Sequence, residues 1–189
     1  MKDYLQNVAW VFLFVAGALA AGFALEWFRR RALRNWAKEQ GGTFEPGSLL
    51  GSVEIPEAAA FDGESKPSYS HVSRIPTPEA TYVLAQYYLG YKDVRNNQKS
   101  MSYVVCFITR PGADWPSVDV EVTGEGSPEA LARLLPPAAR EELLANETLI
   151  AGLKTRGGVA RLQAVVPLAG GYPHREIYAA ARRLVAAWK

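Results

Sequence analysis

Val8 to Leu25 reads VAWVFLFVAGALAAGFAL, eighteen residues without a charge or a strongly polar side chain, and a cluster of arginines follows it. As a helix rising 1.5 Å per residue this stretch is about 27 Å long, close to the roughly 30 Å of a bilayer's hydrocarbon core. Leu5 on one side and Trp27 and Phe28 on the other extend it, with only Glu26 interrupting. Tyr4, Trp10 and Trp27 suit the two interfaces. In lipid every backbone polar group must be satisfied within the segment, so helix is the conformation to expect.

The flanks set an orientation. Lys2 and Asp3 lie before the stretch, and Arg29, Arg30, Arg31, Arg34 and Lys38 lie after it. The side richer in Lys and Arg stays in the cytoplasm, which predicts N-terminus out and C-terminal domain in, on an inner or plasma membrane. Two other readings compete. Ala18-Leu19-Ala20 and Gly22-Phe23-Ala24 resemble the small-residue cleavage sites of a signal peptide, but the apolar run is long for one and arginines directly after it resist export. A buried helix of a soluble core would show a polar stripe, and this stretch shows none.

Charge divides the chain the same way. Residues 1–38 carry six Lys or Arg against two acids, and residues 39–189 carry fifteen against seventeen. The part after the apolar helix therefore has no basic excess, which argues against nucleic acid as a partner. Cys106 is the only cysteine, so neither an internal disulfide nor a multi-cysteine metal site can form.

Residues 29–40, RRRALRNWAKEQ, are good helix formers that continue the apolar helix until Gly41-Gly42 stops it. Their cations are expected at the membrane surface, setting topology first and meeting anionic headgroups second. Residues 41–80 hold many Gly and Pro and no sustained period, with short strands expected near Thr43-Phe44 and over Tyr69 to Ile75. Residues 81–91 and 101–109 read as two strands of a hairpin, and 117–123 alternates as a half-buried third strand. Three successive strands predict a meander. Ser127-Pro128-Glu129 opens a short helix, and another is expected from about Pro137 to Ala145. Arg156-Gly157-Gly158 marks a hairpin turn between 148–155 and 159–166. Ile177, Ala180, Ala181, Leu184, Val185 and Trp188 recur at helical spacing and predict a last helix packed on the sheet. The fold class expected is α+β: an N-terminal transmembrane helix continuing into a basic helix, then a mainly antiparallel sheet with short helices. Four segments follow: anchor 1–28, basic helix 29–40, irregular segment 41–80 and soluble domain 81–189.

Chemical motifs are missing from this pattern. There is no G-x-S-x-G, P-loop, G-x-G-x-x-G or H-E-x-x-H, so no catalytic residue, cofactor or metal is expected. Cys106 lies in an apolar strand and reads as a structural thiol. His71 and His174 stand apart in sequence, and His71 would matter only with carboxylates brought beside it by the fold. Tyr82, Gln86 and Tyr88 share one strand face and Tyr87 and Tyr91 the other; cross-strand packing is the simpler use, partner binding the other. Ala16, Ala20 and Ala24 lie four apart, the small-residue spacing that lets helices approach for self-association.

The layout resembles a loose group of uncharacterised bacterial membrane proteins. These have one N-terminal span, an Arg-rich helix of the form seen here as RRRALRNWAKEQGGTF, and a small α+β domain. That resemblance implies a fold layout and carries no activity or site residues. The function expected is a membrane-tethered cytoplasmic domain that engages an unidentified protein partner. The alternatives are an enzyme with an unfamiliar site at the membrane face and a sensor of anionic lipid.

Overall fold

The computed structural model describes residues 2–47, 52–61, 68–92, 98–112, 115–122, 133–165 and 173–188. Its first element, α1 (Lys2–Glu39), is one unbroken helix. Residues Trp10 to Leu25 are exposed on every side, and among the described residues no other part of the chain buries them. Further on, Leu33, Trp36 and Ala37 are buried. They sit three and four residues apart, so they form one stripe that a sheet can cover.

Two glycines stop the helix for separate reasons. Gly41 takes φ +74°, a region open to a residue without Cβ, and its N–H donates to the carbonyl of Lys38 at 2.9 Å. The Gly42 N–H donates to the carbonyl of Ala37 at 2.8 Å, completing a Schellman cap. A Cβ on Gly42 would collide with the carbonyl oxygen of Arg74, so the chain can turn onto the sheet only with glycine here.

The sheet has seven antiparallel strands in the order β1-β2-β3-β4-β7-β6-β5. They are β1 (Thr43–Glu45), β2 (Ser68–Pro76), β3 (Thr81–Lys92), β4 (Gln98–Thr109), β5 (Val118–Glu121), β6 (Gly152–Arg156) and β7 (Val159–Val165). The 81–109 hairpin forms as the sequence predicts, with Leu84 opposite Cys106. The predicted meander does not form. β4 pairs with β7, and β5 pairs with β6 at the far edge. β7 offers β4 a seven-residue partner in full register, from Tyr103 opposite Val165 to Thr109 opposite Val159. β5 is four residues long and wet on one face, which suits an edge. β1 and β2 join residues 41–80 to the same sheet. The helix expected after Ser127 lies mostly outside the described residues.

One face of the sheet is thickly covered. Helix α2 (Pro137–Ala145), helix α3 (His174–Ala187) and the last turns of α1 pack over Ile75, Tyr82, Leu84, Cys106, Ile108 and Leu162. Every residue of the predicted stripe of α3 is buried, Trp188 just past its end included. Tyr178 stands edge-on between Trp36 and Tyr82, with ring centroids 5.6 and 5.2 Å apart, and so joins α1, α3 and β3. The other face has a smaller cluster of Val72, Val83, Ala85, Val105 and Phe107 under a 3₁₀ turn at Pro56–Ala60.

Candidate functional site

Glu26 is the first charged residue after the apolar stretch. Arg29 and Arg30, one turn on, share its face of the helix. Arg30 Nε donates to Glu26 Oε1 at 2.7 Å and Arg29 Nη1 to Oε2 at 3.3 Å. The sheet supplies a further group: His71 Nε2 lies 2.7 Å from Glu26 Oε1, and Ser70 Oγ lies 3.0 Å from His71 Nδ1. A carboxylate only accepts, so Nε2 carries the ring proton. In the neutral ring Nδ1 then accepts from the Ser70 hydroxyl. Burial lowers the His71 pKa below its usual 6.5; Glu26 pulls it up, and Arg30 and Arg29 push it down again. The net direction favours the neutral ring, in which Nδ1 accepts from Ser70.

Local backbone geometry presents this ring. Pairing of β2 with β3 shifts register between Ser70 and Ser73, and His71 has φ +55°. A bulge re-aims a side chain, and a left-handed residue other than glycine is uncommon and costs about 1–3 kcal/mol. The displaced His71 N–H still donates, to the carbonyl of Pro46 at 3.1 Å. Phe44 flanks the imidazole at 6.2 Å between ring centroids.

Beside the junction runs an open groove lined by Phe23, Ala24, Glu26, Trp27 and Arg30. Arg31 lies over the Trp27 ring, 5.3 Å from its centroid. Of the five cations expected at a membrane surface, Arg29 and Arg30 are drawn towards Glu26, Arg31 stacks on Trp27, and Arg34 and Lys38 are exposed. Ala16, Ala20 and Ala24 are exposed on the apolar segment. A second depression, at the opposite end of the sheet, is lined by Pro78, Glu79, Arg110, Pro111 and Val185. There Arg110 Nη1 donates to the carbonyl of Trp188 at 3.1 Å.

The other singled-out residues have packing roles. Cys106 is wholly buried, which pushes its thiol pKa far up and keeps it protonated. His174 is buried at the first residue of α3. Tyr82 and Gln86 are buried under the helices, and burial raises the Tyr82 phenol to about 12. Tyr87 packs between Tyr69 and Tyr103, both at 5.7 Å. The side chains of Tyr88 and Tyr91 lie outside those described. Among the described residues, no three of His, Cys, Asp or Glu gather to hold a metal.

Sequence reasoning named His71 but not its partner. The available signal was Glu26 itself, an acid placed where the apolar run ends. Nothing local points from it to a residue forty-five positions later. Compared with known proteins, the chain matches no family model, no curated sequence and no solved structure.

Proposed function

We propose that this chain is a membrane-tethered domain: α1 spans the bilayer over Val8–Leu25, and the α+β domain is held at the cytoplasmic face, where it engages a protein partner. One observation carries the reading. The first part of α1 is apolar and bare, while the last turns of the same helix are core residues of the domain. A helix exposing Phe12, Phe14 and Phe23 to water has no physical reason to stay there. The Arg29–Arg34 cluster supports the orientation, with anionic headgroups as its secondary contact. Continuity of the helix means the domain is not on a flexible leash, which suits a scaffold that must keep a fixed attitude to the membrane. Ala16, Ala20 and Ala24 offer a close-approach face for self-association. Replacing Ala20 with Leu is expected to weaken dimer signal in an in-membrane association assay.

The test is a reporter fused after Lys189 together with alkaline extraction of membranes and sequencing of the mature N-terminus. A cytoplasmic reporter on an integral chain that retains Val8–Leu25 is the expected result. A mature chain beginning beyond Ala20, or a reporter outside the cytoplasm, overturns the placement.

A second reading, an interfacial hydrolase, is favoured by the run Ser70–His71–Glu26 next to an apolar groove. A hydroxyl, an imidazole and a carboxylate in sequence are the parts of acyl-transfer chemistry. Against it, His71 is buried and Arg30 shares the carboxylate oxygen that would orient the ring. Labelling by a fluorophosphonate that is lost in Ser70→Ala selects this reading; absence of labelling in detergent and in vesicles removes it.

A further inference from the structure

We propose that the groove where α1 leaves the bilayer seats one anionic phospholipid, its phosphate on Arg30 and an acyl chain along Phe23, Ala24 and Trp27. The proposal rests on the anchor reading above and gives the anchor a lipid site of its own. Phe23, Ala24 and Trp27 make the apolar part of the groove, and Glu26 and Arg30 bring charge to the end nearer the domain. Phe23, Trp27 and Arg30 follow one another at spacings of four and three, so one helix face carries them in that order. Ala24, three residues before Trp27, is the small member that leaves the apolar part hollow. A lipid has the same division, with its chain below and its phosphate above.

Depth selects the cation. The polar layer on each side of the hydrocarbon core is about 5–8 Å thick. With Leu25 at the hydrocarbon edge, Arg30 stands about 7 Å above it, while Arg34 stands about 13 Å and Lys38 about 20 Å above it. An ordinary helix tilt of about 20° shortens these heights by less than about a tenth. Arg29, Arg30 and Arg31 are therefore level with lipid phosphates, and Arg34 and Lys38 lie beyond them. Arg29 Nη1 donates to Glu26 Oε2 and Arg31 stacks on Trp27, whereas Arg30 lines the groove.

Glu26 prepares Arg30 without using it up. Arg30 Nε donates to Glu26 Oε1 at 2.7 Å, and among the described residues its guanidinium makes no other hydrogen bond. Nη1 and Nη2 are left as donors on a group whose side chain is 31% exposed. A guanidinium held by one edge presents a planar fork to phosphate, and its orientation is fixed before the ligand arrives. Glu26 answers only one of the charges on Arg29, Arg30 and Arg31, so the site stays positive and favours an anionic lipid over a zwitterionic one. A free phosphate ion has nothing to lay on Phe23, Ala24 and Trp27, which commits the site to lipid.

Native mass spectrometry of the full chain, released from micelles that contain phosphatidylglycerol or phosphatidylcholine, tests this. One phosphatidylglycerol retained per chain is expected, at about fivefold higher apparent affinity than phosphatidylcholine. Arg30→Gln should remove that preference, and Ala24→Leu, which fills the hollow and leaves every charge in place, should lower retention several-fold. Arg34→Gln and Lys38→Gln should change neither, and excess inorganic phosphate should displace nothing. Circular dichroism checks each fold; should Arg30→Gln fail to fold, Ala24→Leu decides. Equal retention of the two lipids, a loss shared among Arg30, Arg34 and Lys38, or unchanged retention in Ala24→Leu overturns the lipid seat, and displacement by inorganic phosphate overturns it in favour of a free-anion site. Flotation of the same chain with vesicles in alkaline carbonate reads the anchor separately. A floating chain with no lipid preference leaves the anchor standing without its seat, and a chain that does not float overturns both.

Discussion

The two ends of α1 are built from similar residues and obey different rules. Between Trp10 and Leu25 the large side chains are bare: Trp10 is 64% exposed and Phe14 78%. Between Leu33 and Ala37 they are inside, with Trp36 at 5%. A tryptophan near each end thus has opposite surroundings, one bare and one packed. The first end is apolar all round and has no stripe for a sheet to cover, the pattern on which the anchor proposed above rests. The second end carries cations and a narrow stripe, so a sheet covers the stripe and water takes the rest. Between them lie Glu26, Arg29, Arg30 and His71, polar groups placed where the bare stretch gives way to the packed one.

The comparison is broken most forcefully at the tryptophans. Trp36→Ala removes a buried ring that holds Tyr178 against α1, and it should cost about 3–5 kcal/mol of domain stability. Trp10→Ala should leave domain stability within about 0.5 kcal/mol, since Trp10 is exposed and no described residue of the domain buries it. Urea melts of the full chain in non-ionic detergent, followed by far-UV circular dichroism, measure both. Equal losses would mean that the two ends of α1 do not differ as described.

Glycines give a sharper and smaller contrast. Gly42→Ala forces a Cβ against the carbonyl of Arg74 and should cost about 1–3 kcal/mol through local displacement. Gly17→Ala and Gly22→Ala meet nothing within 4 Å and should leave the same melts unchanged. A silent Gly42→Ala would show that the turn from α1 onto β1 has slack that the close approach does not suggest.

Much of the fold was readable because its signals are local. Val118 and Val120 alternate with Asp119 and Glu121, Gly157 and Gly158 both take positive φ in the hairpin turn, and α3 shows its stripe directly. Strand order was not readable. Whether β4 takes β5 or β7 depends on lengths and registers many residues apart, and a meander is only the shortest connection. The stripe Leu33, Trp36, Ala37 was present in the sequence, but the arginines around it drew the reading to the membrane surface. The junction failed for the same reason as strand order: Glu26 and His71 meet through a bulge, and a bulge at Ser70–Ser73 has no glycine or turn signal to announce it.

The smallest effect lies at that junction and depends on pH. The folded state lowers the His71 pKa below 6.5, chiefly by burial, so on acidification the unfolded chain takes its proton first. Stability from this site is therefore fully present above pH 6.5 and is lost as pH falls through the lower folded value. Protonation would also place a cation next to Arg29 and Arg30 around Glu26. His71→Asn removes the titration while keeping a residue that tolerates positive φ. Its domain stability, measured by urea melts at a series of pH values, should fall less than the wild type's as pH drops from 7 towards about 5. Parallel curves for the two proteins would mean that the imidazole is not held neutral by its burial, and that the acid sensitivity of the domain arises away from the place where helix and sheet meet.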